Sequence, residues 1–101
     1  MKHYSIHYTE DLKESLKNNG FSLVEILEDT YKQVKSMQAW DVLIEIMDNF
    51  TGTVEKVHAL QSYNTMVAWE KPNGESVRTR KYSPTTSKQT TTWENGYWRY
   101  Y

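Results

Sequence analysis

The sequence predicts an α+β domain: two N-terminal helices, a small antiparallel β-meander of about four strands, and a short C-terminal helix. Three observations carry this. Apolar residues recur at helical spacing between Leu23 and Met37. Alternating runs punctuated by turn residues fill the stretch from Trp40 to Tyr82. Ser83-Pro84 then opens a segment that closes at Asn95-Gly96, the pairing that begins and ends helices. A chain of 101 residues suits a single domain over residues 1–101.

Residues 1–8 alternate weakly through Tyr4, Ile6 and Tyr8, which reads as an edge strand or an arm. Thr9 followed by Glu10 and Asp11 is an N-cap pattern, with acids where the helix dipole favours them. Leu12 and Leu16 lie one turn apart, and Asn19-Gly20 stops this first helix. Ser22 and Glu25 have the spacing of a capping box, with Phe21 and Ile26 as the hydrophobic staple. They predict a second helix over 23–37, carrying Leu23, Ile26, Leu27, Thr30, Tyr31, Val34 and Met37 on its apolar side. Trp40 to Met47 fits both periods, and its β-branched residues and the Asn49 to Gly52 turn favour a strand. Thr53 to Ala59 and Leu60 to Lys71 follow as strands. Pro72-Asn73-Gly74 supplies a hairpin turn, and Glu75 to Tyr82 the fourth strand. Thr85 to Glu94 forms the last helix; its threonines are poor helix formers, so it must be held by docking, through Trp93. The core is expected to draw on Leu16, Leu23, Ile26, Leu27, Tyr31, Val34, Leu43, Ile44, Val57, Val67, Trp69 and Trp93.

Composition narrows the chemistry. The absence of cysteine removes disulfides, thiolate metal sites and thiol nucleophiles, and fits a reducing cytoplasm. No stretch reads as a signal peptide or approaches the ~20 apolar residues that span a bilayer. Of the histidines, His3 and His7 lack an acid at metalloenzyme spacing, and His58 stands alone between Val57 and Ala59. The four glycines each fall at a turn and form no phosphate loop. Ser83, Thr85, Thr86 and Ser87 have no base beside them and read as capping and turn residues. No catalytic residues, metal ligands or cofactor are therefore expected, and the chain reads as a non-enzymatic binding protein.

Charge offers two binding surfaces. Residues 1–50 carry nine carboxylates against five lysines, whereas residues 51–101 carry seven cations against four glutamates. On the acidic side Glu25, Glu28, Asp29, Asp41 and Glu45 are the candidate partner-binding residues, suited to a basic groove on another protein. On the basic side Arg78 and Arg80 share a strand face with Tyr82, and Lys81 and Lys88 lie near. Cations interleaved with an aromatic suit phosphate contact and base stacking. The bland reading of both sets is a solvated surface. The tail from Tyr97 to Tyr101 is aromatic and could serve an oligomer interface.

Tyr63-Asn64-Thr65, Val67-Ala68, the turn at Gly74, Lys81-Tyr82-Ser83 and Thr85-Thr86-Ser87-Lys88 together resemble small proteins of phages, plasmids and other mobile elements of Gram-positive bacteria. The resemblance covers about a third of the chain, and Gln89 stands where those sequences often carry histidine. It implies an origin in mobile DNA. By analogy of lifestyle, small phage proteins often inhibit host defence nucleases, as anti-CRISPR proteins do. The expected partner is thus a host protein, a CRISPR effector nuclease foremost, with a small nucleic-acid-binding module as the alternative.

Overall fold

A computed structural model describes residues 9–79 and 84–95. The elements run α1 (Glu10–Asn18), β1 (Phe21–Gln33), β2 (Ala39–Asp48), β3 (Val54–Ser62), β4 (Thr65–Glu70), β5 (Ser76–Arg78) and α2 (Pro84–Glu94). The five strands form one antiparallel sheet in sequential order. This corrects the expected architecture: one helix, not two, precedes the sheet, and the meander has five strands, not four. The segment expected as a helix over 23–37 is mostly the long first strand.

Two interruptions of β1 explain the difference. Leu23 pairs with Ile46 and Glu25 with Glu45, so Val24 is an extra residue opposite an uninterrupted partner. Phe21, Leu23 and Ile26 then reach one face at spacings of two and three, which imitates a helical stripe. Leu27 pairs with Leu43 and Lys32 with Asp41, so residues 28–31 bulge out opposite Val42 alone. The Thr30 hydroxyl repairs the ladder there, donating to the Leu27 carbonyl at 2.7 Å and accepting from the Leu43 amide at 2.9 Å. Ser22 makes no cap; its hydroxyl donates to Asn49 Oδ1 at 2.7 Å across the neighbouring turn. Cross-strand burial, available only to the strand, outweighs a capping box worth about 1 kcal/mol.

The two helices cover opposite faces of the sheet. Leu12 and Leu16 of α1 are fully buried against Val42, Ile44 and Ile46 of β2, Val57 and Ala59 of β3, and Met66 and Trp69 of β4. Phe21, Leu23, Ile26 and Val77 close this layer, and Phe21 meets Trp69 edge-on with ring centroids 5.7 Å apart. The Trp69 indole nitrogen donates to Ser15 Oγ at 2.9 Å, which ties α1 across β4. A nine-residue helix does not stand alone in water, so this docking supplies its stability. Thr9 marks its start without a side-chain cap. Gly20, at φ +85°, turns the chain into β1 beneath the Phe50 ring, where an added Cβ would stand 3.2 Å from Cε2.

On the other face Val34, Ala39, Leu60, Val67, Ala68 and Trp93 form a smaller cluster under α2, with Met37 at its edge. Val67 is the extra residue of a bulge in β4, opposite the Leu60–Gln61 step. Most of the expected core residues lie in these two layers. Tyr31 does not: it belongs to the bulged-out stretch of β1 and is 41% exposed. Leu27 and Leu43 are only half-buried. No helix among the described residues is long and apolar enough to cross a membrane.

The bulge at Val24 can be tested by deletion. Removing Val24 leaves Phe21, Leu23 and Ile26 on the α1 face, so this variant should keep most of its stability in urea denaturation. Removing Ser22 forces Phe21 toward the other face and should lose about 1.5–3 kcal/mol more, the burial of one large apolar side chain. Equal losses would mean that β1 lacks this register.

Candidate binding face

Asp41 lies on the α2 side of β2 and is 3% exposed. A carboxylate there must be hydrogen-bonded to stay charged. Trp93 Nε1 donates to Oδ1 at 2.8 Å, and His58 Nδ1 stands 2.8 Å from Oδ2 and 3.1 Å from Oδ1. His58 reaches it diagonally from β3, where it pairs with Leu43. Nearer the start of α2, the buried Ser62 hydroxyl donates to Gln89 Oε1 and lies 3.3 Å from Thr86 Oγ1. Polar groups thus fix where α2 sits, and Trp93 is its anchor, as the sequence predicts. Thr90, Thr91 and Thr92 return their hydroxyls to carbonyls one turn back within the helix.

Beyond His58 the same sheet face continues without α2 above it. Successive rows there are Leu27 with Leu43 and His58, then Glu25 with Glu45 and Lys56, then Ser22 with Met47 and Val54. Leu27, Leu43 and Met47 are half-buried, while Val24 and Val54 are 52% and 48% exposed. Glu25 and Glu45 stand directly opposite each other, an arrangement that costs roughly 0.2–1 kcal/mol relative to neutral pairs. Glu28 and Asp29 extend the acidic edge along the bulged stretch of β1. Glu25, Glu28, Asp29 and Glu45 make no ion pair among the described residues.

The acidic set named from the sequence therefore divides. Glu25 and Glu45 meet on the open face and Glu28 and Asp29 border it, whereas Asp41 is turned inward to hold α2. Residue counting alone missed the apolar part of this surface. Met47 and Val54 become a pair only once register is known, and Leu27 and Leu43 read as core.

The basic set is dispersed. Arg78 pairs with Glu94 at 2.9 Å and donates to Thr91 Oγ1 at 3.2 Å, so it buttresses α2. Ser76 adds a bond to Glu94 at 3.1 Å. Lys88 is exposed on α2, and Arg80, Lys81 and Tyr82 lie outside the described residues, as do His3, His7 and the aromatic tail. An open groove of about 370 Å³ between α1 and β5 has a mixed lining that includes Asp11, Glu14 and Arg78. Among the described residues no three histidine or carboxylate side chains stand close enough to hold a metal ion.

A family model matches residues 15–99, which take in all five strands and α2. The chain belongs to DUF8033, a family of unknown function. The match makes this sheet with its C-terminal helix the body of a DUF8033 domain. Searches of curated proteins and of solved structures find no match.

Two variants check the seating of α2. Asp41→Ala leaves the buried Trp93 N–H without its acceptor and should cost about 2–4 kcal/mol in urea denaturation, with Asp41→Asn costing less. The hydrogen bond from Arg78 holds the Glu94 carboxyl below its ordinary value of 4.5, against the opposing effect of burial. A lowered carboxylate stabilises the fold above its unfolded value and loses that contribution as pH falls through the folded one. Glu94→Gln should therefore lower stability by about 0.5 kcal/mol at neutral pH, with both ends partly solvated. Thermal melts of the two proteins should converge as pH falls through the lowered Glu94 value.

Proposed function

We propose that this protein is a non-enzymatic inhibitor that docks its open acidic sheet face onto a basic surface of a host defence protein. A CRISPR nuclease, blocked from its nucleic acid, is the partner that the mobile-element resemblance favours. The reading places both proteins in the cytoplasm of a bacterial host cell.

One observation carries the proposal. Four carboxylates border or occupy a half-apolar sheet face and make no ion pair among the described residues, and two of them directly oppose each other. Like charges held together on a surface with exposed aliphatic side chains favour a cationic partner, which would relieve their repulsion and cover the apolar area. Small size and an aromatic-rich composition fit the same role.

The decisive experiment is a cleavage assay across a panel of CRISPR effector nucleases. The purified protein should suppress cleavage by at least one, and Glu25→Lys combined with Glu45→Lys should restore it. The same double variant should fold normally, and Glu25→Lys alone should gain roughly 0.2–1 kcal/mol by removing the facing like charges. Inhibition untouched by both reversals would remove this face from the mechanism, and a panel without inhibition or binding would remove the proposal.

A further inference from the structure

The helix α2 occupies only one end of the face it packs on. Its bonds reach Ser62, Asp41, Ser76 and Arg78. The other end, from Leu43 to Met47 on β2, has no helix over it among the described residues. Its three strands, β1 to β3, span about 10 Å, which is the width of one helix. The distance along β2 from Leu43 to Met47 is about 13 Å, the length of roughly nine helical residues. We infer that this trough takes an amphipathic helix of a partner protein, laid on the sheet beside α2 with its apolar stripe on Leu27, Leu43 and Met47. The inference rests on the acidic-face reading above and names what that face binds.

Charge fixes the character of the helix and its rotation. Glu25 on β1 and Glu45 on β2 stand in the middle of the trough, and Glu28 and Asp29 border its β1 side. Lys56 on β3 is the one cation in these rows. Lysine or arginine side chains of the partner therefore lie over β1 and β2, and its polar uncharged or acidic side chains lie over β3. A helix suits this floor better than a strand. Added strands recognise a sheet through its edge, whereas apolar rows about 13 Å apart with a charged row midway match apolar helix side chains about nine residues apart with cations a turn from each.

The test uses the whole protein and a synthetic peptide of about 14 residues, four turns, with leucines at i, i+3, i+8 and i+11 spacing, lysines at i+4 and i+7 between them, and glutamines elsewhere. A scrambled peptide of the same composition, lacking the stripe, is the control. Calorimetry should give at least tenfold tighter binding for the striped peptide. Amide shift changes should centre on Leu27, Leu43, Glu45 and Met47. Glu25→Gln with Glu45→Gln should weaken binding about tenfold, and Lys56→Glu should strengthen it; both sites are on the surface, so the fold is preserved. Equal binding of the scrambled peptide would overturn the helix while leaving the acidic-face reading intact. Shift changes on α1 instead would overturn the site. Much tighter binding by a variant ending at Asn95 would mean that residues 96–101 are the occupant, and peptide-reversible self-association would mean that a second copy is. Either result overturns the inference. Failure of nuclease inhibition with striped-peptide binding intact would remove only the identity of the partner.

Discussion

Asp41 sits beneath α2 with its carboxylate out of water, and a charge so placed is tolerated only while Trp93 and His58 bond to it. Removing either partner strands the charge, which is far more costly than exchanging the whole group for an apolar one. The position of α2 is thereby set more narrowly than a greasy contact would set it. Trp93 must stand over Asp41, Gln89 over Ser62, and Glu94 beside Arg78. Where the helix ends, the face that no other described helix covers begins. A carboxylate that looks from the sequence like part of a docking surface instead determines where that surface lies.

The sheet divides its helices by chemistry as well as by side. The α1 face is packed with leucine, isoleucine, valine and tryptophan, and the hydrogen bond from Trp69 to Ser15 that crosses it joins neutral groups. The α2 face is built from alanine, valine, one leucine and one indole, with bonds among serine, threonine, glutamine and aspartate. The threonine hydroxyls return to their own helix, and of Thr90, Thr91 and Thr92 it is Thr91 whose oxygen also accepts from the sheet, from Arg78. Less apolar area holds α2, and its sequence has little helical preference of its own. Of the two helices, α2 is the one whose persistence depends on a few directed contacts.

Much of the fold was legible. Leu12 and Leu16 with Asn19-Gly20 located α1, the Pro72 to Gly74 turn located the last hairpin, and Ser83-Pro84 with Trp93 located α2 and its anchor. The failure at β1 has a physical origin. Periodicity distinguishes strand from helix only where the ladder is regular, and an extra residue at Val24 turns an alternating pattern into one with steps of two and three. A capping box with a staple then fits by coincidence, because Ser22 and Glu25 need only be three apart. The candidate surface suffered the same blind spot. Glu25 and Glu45 are twenty residues apart in sequence, and their opposition is a property of register alone. Nor could spacing show that Asp41, two residues from Leu43 on the same side of β2, is buried under a helix while Leu43 is only half-buried beyond it.

The stretched-out loop at residues 28–31 also bears on how the molecule behaves in a crowded solution. A long straight strand at the margin of a sheet is a template on which other chains can add, the first step toward fibrils. In β1 the ladder is broken twice, and Glu25, Glu28, Asp29 and Lys32 are spread along it. An incoming strand would meet a kink or a charge every few residues and could not extend its pairing. The irregularity that disguises β1 as a helix thus also works against runaway association at the margin of the described sheet.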